Sequence, residues 1–354
     1  MLLKTEKPNI RSYSLEDLRQ FFVENGESAF RANQIWQWVW QKHVKSFDEM
    51  SNVSKELRAF LEEHFMISEL QIQQVQISKD RTIKTAFSLS DGRVVEGVLI
   101  PADNRMTACI SSQVGCSLDC KFCATAQLKM MRNLHPDEIY DQVVAIKKQA
   151  EEHYNQPLTN IVLMGMGEPL LNFKNVSTAI QHITSEQGLG MSAKRITLST
   201  SGISKMIRKL GEDKVKYRLA LSLHAADNEK RSQIMSINQS NPLEDLADAL
   251  RFYYAQTGNS VTYEYILFKD FNDSDLDAQN LIKFARIIPS KVNIIEYNPV
   301  EGTPFRQSDP TRLSHFQAML EKAGITTTVR RSRGKDIDAA CGQLANKSVT
   351  HAKI

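Results

Sequence analysis

The sequence lacks the features that would place it in a membrane, outside the cell or in a repeat array. No stretch approaches the roughly 20 consecutive apolar residues that would span a bilayer. The opening residues Met1-Leu2-Leu3-Lys4-Thr5-Glu6 carry no apolar core of a secretory leader. A cytoplasmic protein with no membrane partner is therefore expected. No long internal repeat or low-complexity segment runs through the chain, which excludes a solenoid. Cysteine is scarce, with 5 in 354 residues. So few, and an odd number, do not make a disulfide framework in a reducing compartment. Excess charge of one sign is also missing: 44 Lys and Arg stand against 41 Asp and Glu, a net charge of +3. That balance permits a nucleic-acid partner without arguing for one. One segment, Arg330, Arg331, Arg333 and Lys335, is locally basic, either a solvated turn or a grip for phosphate.

What remains is an ordinary globular composition, 42% hydrophobic and 24% charged, in a chain long enough for one large domain and a small one. Residues 15–23, 32–43 and 54–65 carry apolar side chains at three- and four-residue spacing, which predicts helices. Ser14, ahead of Asp17, and Ser54, ahead of Leu57, are the expected helix starts. Ile72, Val75 and Ile77, then Thr85-Ala86-Phe87-Ser88-Leu89, alternate as strands do, and Asp91-Gly92 turns the chain into a further strand over 94–100. From about residue 105 a strand–helix rhythm sets in. Strands are expected at 107–111, 160–164, 195–200, 217–223, 260–268, 291–297 and 326–330. Helices are expected at 136–153, 175–186, 243–255, 275–287 and 312–323. Short apolar strands alternating with helices predict an α/β fold, a parallel sheet curled into a full or partial barrel. Chemistry in such barrels sits at the C-terminal ends of the strands. The expected organisation is a helical module over 1–68, a β-hairpin linker over 69–104, the barrel over 105–345 and a tail over 346–354.

The most informative feature is a cysteine cluster after the first barrel strand. Gly115-Cys116-Ser117-Leu118-Asp119-Cys120-Lys121-Phe122-Cys123 has the spacing C-x3-C-x2-C. Three thiolates this close suit a [4Fe–4S] cube with one iron left open. That iron can chelate a small molecule through an amine and a carboxylate. Structural zinc would want a fourth Cys or His, for which His135 is the nearest histidine. One strand later stands Met164-Gly165-Met166-Gly167-Glu168-Pro169-Leu170-Leu171-Asn172. Its glycines admit a ligand to the backbone and its carboxylate can hold an ammonium, though a tight turn would use the same residues. Cys109 and Cys341 stand apart, and each alone reads as a small buried hydrophobe.

C-x3-C-x2-C with Phe122 before the last cysteine resembles the radical S-adenosylmethionine (SAM) signature. Ser111-Ser112-Gln113-Val114-Gly115-Cys116 closely resembles the RlmN/Cfr family of 23S ribosomal RNA adenine methyltransferases. So do Phe30-Arg31-Ala32-Asn33-Gln34-Ile35 and, more specifically, Asp336-Ile337-Asp338-Ala339-Ala340-Cys341-Gly342-Gln343-Leu344, so that the likeness covers nearly the whole chain.

The resemblance implies a radical SAM partial (β/α)6-type barrel with a [4Fe–4S] cluster on Cys116, Cys120 and Cys123. It implies SAM contacts at Gly167, Glu168, Ser199, Ser222, Leu223, His224 and Asn298. It implies that Cys341 accepts a methyl from one SAM. A second SAM, cleaved reductively on the cluster, yields a 5′-deoxyadenosyl radical that takes a hydrogen from the methylated Cys341. The carbon radical adds to carbon 2 of adenine, whose electrophilic character bars simple methyl-cation delivery. Cys109 then releases the adduct through a transient disulfide with Cys341, and Glu96 removes the carbon 2 proton. By its residue pattern alone Glu96 reads as a surface strand carboxylate.

Gly167-Glu168-Pro169 is similar to the RlmN branch, which makes 2-methyladenosine, rather than to the Cfr branch, which methylates carbon 8. The implied partners are 23S rRNA, the tRNA adenosine next to the anticodon and a reducing electron donor such as flavodoxin. The N-terminal helices and Arg330–Lys335 segment would help grip phosphates. Leu128-Lys129-Met130-Met131, Met235-Ser236-Ile237-Asn238 and Glu296-Tyr297 differ from the family's usual pattern, in loops expected to face RNA.

Overall fold

A computed structural model describes residues 7–347. Residues 1–6, where a leader was sought, and residues 348–354, most of the expected tail, lie outside the described residues. Three helices form the N-terminal module: α1 (Leu15–Glu24), α2 (Ala29–Trp40) and α3 (Lys55–His64). Ser14 caps α1 by accepting from Asp17 N at 3.1 Å while the Asp17 carboxylate accepts from Ser14 N at 2.9 Å. Ser54 caps α3 through Leu57 N at 3.2 Å. Helix α2 begins and ends three residues earlier than its periodicity predicts, since Ser28 caps it and His43 takes a left-handed φ of 56°.

The module is clamped to the barrel, not tethered. The Arg11 guanidinium makes a two-pronged bond to Asp141 at 2.7 and 2.8 Å and lies over the Trp40 ring at 4.5 Å. His182 stacks on Trp40 with ring centroids 3.8 Å apart. These aromatic residues fuse the module's core to that of the barrel.

The chain then runs through β1 (Gln71–Ile77), β2 (Ile83–Ser88), β3 (Val94–Ala102), β4 (Arg105–Cys109), β5 (Gln113–Val114) and β6 (Arg132–Asn133). From there α4 (Pro136–Tyr154), β7 (Asn160–Leu163), α5 (Phe173–Thr184), β8 (Ile196–Thr200), α6 (Ser204–Glu212), β9 (Arg218–Ser222), α7 (Asn228–Ile234) and α8 (Leu243–Thr257) follow. The series ends with β10 (Val261–Leu267), α9 (Asp275–Ala285), β11 (Ser290–Glu296), α10 (Pro310–Lys322) and β12 (Thr326–Arg330). One ten-stranded sheet has the order β1-β2-β3-β4-β7-β8-β9-β10-β11-β12, with β5 paired only to β6. Every pairing from β4 to β12 is parallel, so this part is a partial barrel with its helices outside.

All seven predicted barrel strands and five predicted helices are present, and two short helices, α6 and α7, join them. Only Ile234 gives α7 an apolar anchor, so its sequence carries too little period to be recognised. The hairpin over 69–100 is part of a three-stranded antiparallel meander. β3 pairs antiparallel with β4 and so continues the barrel sheet. The barrel core is built from strand residues such as Ile161, Leu198, Leu219, Leu221, Tyr263 and Val292, all at most 2% exposed. Among the described residues no helix is long and apolar enough to cross a membrane.

Candidate active site

The C-terminal ends of the parallel strands converge on one cavity, enclosing about 1120 Å3 of empty space including its open mouth. Its wall brings together Cys109, Cys116, Cys120, Cys123 and Cys341, every cysteine in the chain. All five are free thiols. Cys109 ends β4, the next three follow in the loop closed by β5 and β6, and Cys341 arrives from beyond β12.

The cluster loop has a rigid floor. Gly115 takes a φ of 76°, and a Cβ there would meet the Lys129 carbonyl at 2.4 Å, so only glycine can lead into Cys116. Phe122 packs edge-on to His224 at 4.8 Å, within an apolar cluster of Ile234, Met235, Ile266, Phe268, Ile295 and Tyr297 against which Cys120 and Cys123 lie. Lys121 N donates to Ile234 O and Ala124 N to Gly342 O, tying the loop to α7 and to the Cys341 segment. Burial pushes the Cys116 thiol up to about 11 and that of Cys120 well above its ordinary value. Such thiols become thiolates by binding metal, which deprotonates them outright. Among the described residues no three His, Cys, Asp or Glu are grouped to hold a single metal ion. A four-iron cube spreads its thiolates over a wider triangle than one tetrahedral ion does.

Next to the loop, residues 111–113 stitch β4 to the turn after β7. Ser111 Oγ accepts from Met166 N at 2.8 Å, and Gln113 Oε1 accepts from Glu168 N at 2.8 Å. Gly167 adopts a φ of 96° with no room for a Cβ, which would sit 2.5 Å from Gln113. Glu168 is 3% exposed, and its carboxylate accepts from Ser201 N and Oγ, both at 2.8 Å, and from Leu170 N at 3.0 Å. Burial raises its pKa against those bonds. Oε1 keeps one lone pair for a further donor from the cavity.

Of the other expected SAM contacts, Ser199, Ser222 and His224 line the cavity with Gly167 and Glu168. His224 is held neutral, at about 3, by burial and then by Arg231, and its Nδ1 accepts from Ile266 N at 3.1 Å. Its Nε2 therefore carries the proton and is a donor. Leu223 and Asn298 do not line the cavity. The Leu223 side chain is fully buried in the core. Asn298 donates to the Cys341 carbonyl at 3.3 Å and leaves a buried Oδ1 without a partner.

Glu96 is also off the cavity wall and, contrary to its surface reading, has no exposed area. The basic segment divides as well. Arg330 lines the cavity beside Met164 and lies 3.9 Å from Glu264, whereas Lys335 pairs with Glu296 at 3.2 Å. Arg330, a third exposed, thus faces the cavity, while Lys335 lies on the outer side of the same segment.

Three polar residues here escape a motif search. Glu264 is 4% exposed, accepts from Asn293 at 2.9 Å and turns its other oxygen to the cavity. Its signal was a lone carboxylate inside the apolar strand Val261–Leu267. Arg330 opposes the burial that sets Cys109 at about 12, and it also opposes the upward shift of the Cys341 thiol, which lines the cavity although its residue is exposed. Arg231, fully buried on α7, donates to Leu223 O at 3.1 Å, Asn238 at 2.9 Å and Ser201 O at 2.5 Å, bracing the β8 and β9 ends. No sequence spacing marks it.

The comparisons with known proteins agree with this geometry. Residues 110–282 match the radical SAM superfamily, and residues 8–67 match the N-terminal domain of ribosomal RNA large subunit methyltransferases. A protein of Cytophaga hutchinsonii named probable dual-specificity RNA methyltransferase RlmN is 58% identical over 97% of this chain and 94% of its own. One of the same name from Christiangramia forsetii is 56% identical over 98% of both. The crystal structure of a radical SAM methyltransferase from Sphaerobacter thermophilus, 38% identical, superposes with a TM-score of 0.89 over 95% of this chain and 99% of that one. The chain belongs to the RlmN family of radical SAM methyltransferases.

Proposed function

We propose that this enzyme methylates carbon 2 of adenosine in 23S rRNA and in tRNA next to the anticodon, using Cys341 as methyl carrier. The observation that carries the reading is the shared cavity wall of Cys109, Cys341 and the three cluster cysteines. Cys109 and Cys341, far from each other in sequence, reach the cluster loop from opposite ends of the barrel. The relatives named for dual-specificity RNA methylation support the substrate class. Cys116, Cys120 and Cys123 would hold a [4Fe–4S] cluster, which would supply the single electron that cleaves SAM reductively.

The chain's own residues do the rest. Gly167, Glu168, Ser199, Ser222 and His224 hold the cosubstrate in the cavity, while Asn298 and Leu223 shape the site from behind it. Cys341, as thiolate, takes a methyl from one SAM; its sulfur–carbon bond forms as the sulfonium–methyl bond breaks. Arg330 favours that thiolate electrostatically. After the methyl-derived carbon radical has added to the base, the adduct gives back the one electron that the reductant supplied, and Glu96 accepts the carbon 2 proton. Its carboxylate accepts from Ala345 N and Asn346 N, which ties it to the segment that carries Cys341. The Cys109 thiolate attacks the Cys341 sulfur, forming a sulfur–sulfur bond and breaking sulfur–carbon, and the released carbon takes up a proton. A cellular thiol reduces the resulting disulfide. Two SAM are consumed per methylation.

Nucleoside mass spectrometry tests the assignment. Reconstituted enzyme with SAM, a reductant and each RNA should yield 2-methyladenosine from both. 8-Methyladenosine would assign the Cfr chemistry, and product from rRNA alone would remove the tRNA half.

A further inference from the structure

Glu96 lies on β3 and Lys84 on the neighbouring β2, with Nζ 3.4 Å from Oε1 and both side chains at most 5% exposed. The second carboxylate oxygen accepts two backbone N–H groups, those of Ala345 at 2.9 Å and Asn346 at 3.0 Å. Lys84 Nζ reaches in turn to the carbonyl of Asp338 at 3.5 Å. Cys341 lies between these attachment points. One buried ion pair therefore grips the chain on both sides of the thiol.

The rest of the meander grips the same segment. Asp80 accepts from Gly334 N at 2.8 Å, Asp336 accepts from Ser78 Oγ at 2.5 Å and Lys79 N at 3.1 Å, and Asn346 Nδ2 donates to Val94 O at 2.8 Å. The barrel side holds the thiol-bearing part of the loop with neutral bonds, Asn298 to Cys341 O, Ala124 N to Gly342 O, Thr125 Oγ1 to Leu344 O and Gln343 to Pro299 O, and its start with the pair of half-exposed Lys335 and Glu296. A buried pair adds little net stability over an apolar one, but it fixes geometry where both charges are satisfied by one arrangement of the chain. Carboxylate bonds to backbone N–H groups are also the stronger kind.

We propose that Lys84 and Glu96 are positioning residues for the methyl carrier, fixing both ends of the Cys341 loop so that its thiol faces Cys109 and the cluster loop across the cavity. The meander is then more than an edge to the barrel: it frames the seat of the Cys341 thiol. The inference rests on the reading of Cys341 as methyl carrier, and its test has a part that does not.

The test uses the cluster-loaded enzyme as Lys84→Met, as Lys84→Arg, and as the neutral pair Lys84→Met with Glu96→Gln, which avoids an unpaired buried charge. Amide hydrogen exchange is measured over residues 338–347 and over β2 and β3, and the rate of Cys341 methylation by SAM alone is followed by protein mass spectrometry. Exchange after Cys341 should quicken about tenfold in Lys84→Met and in the neutral pair, the equivalent of about 1.4 kcal/mol, with β2 and β3 unchanged. Methylation of Cys341 should slow by a similar factor, and Lys84→Arg should restore both. Unchanged loop exchange, quickening spread equally over β2 and β3, or a loosened loop with full methylation would each overturn the proposal. If wild-type Cys341 takes no methyl at all, the carrier reading fails, and the exchange result alone decides whether the pair holds the loop.

Discussion

At the scale of single residues, buried carboxylates and cations organise the site around its cysteines. Glu168 shows this best, since every one of its bonds is to a donor, three of them from Ser201 and Leu170. Glu168→Gln would turn an amide NH2 onto one of those donors. An unmatched buried pair costs about 1–3 kcal/mol. SAM binding, measured by isothermal titration on cluster-loaded enzyme, should therefore weaken about tenfold or more. Unaltered affinity would show that the carboxylate does not shape the cosubstrate's seat. Much of this level was legible: the three clustered cysteines, Gly167 and Glu168 announce themselves by spacing and type. Arg231 and Lys84 were not, because a buried cation's value depends on which carbonyls or carboxylates the fold brings to it. Leu223 and Asn298 mark the reverse case, in which a motif position is occupied by a residue that acts from behind the wall.

At the scale of elements, the helical module and barrel meet through rings and a buried ion pair, and that seam is sensitive to pH. Burial first, then the Arg11 charge, hold His43 and His182 at about 4. In the unfolded chain both would bind a proton near pH 6.5. Their neutral native state thus adds stability above pH 6.5 that is lost as pH falls toward 4. The urea midpoint should fall between pH 7 and pH 5, and His182→Phe, which keeps the stack on Trp40 but cannot protonate, should flatten that fall. An equally steep fall in the variant would locate the acid sensitivity elsewhere. Periodicity found α1–α5 and α8–α10 because each lays an apolar stripe on a core. It missed α6 and α7, which are short and held largely by neighbours. The meander's pairing to β4 was hidden for a different reason: alternation reports that strands exist, while their partners depend on a distant register.

At the scale of the whole molecule, three far-separated parts of the chain build one reaction chamber. The first barrel strand and its loop bring four of the five cysteines, and the segment beyond the last strand returns with Cys341. The meander, sequence neighbour of the first strand, is what holds that returning segment. Sequence reading anticipated the barrel and the C-terminal ends of its strands as the place of chemistry. It did not anticipate that the antiparallel edge would serve the last loop, since nothing local in residues 78–96 names a partner some 250 positions away. The central claim is that Cys341 carries the methyl and Cys109 releases the product. The most direct measurement is mass spectrometry of cluster-loaded Cys109→Ala enzyme incubated with SAM, a reductant and RNA. The account predicts an accumulating covalent link between the Cys341 sulfur and an adenosine of the RNA, absent when Cys341→Ala is added. Protein and RNA both recovered free, with either full turnover or none, would contradict it.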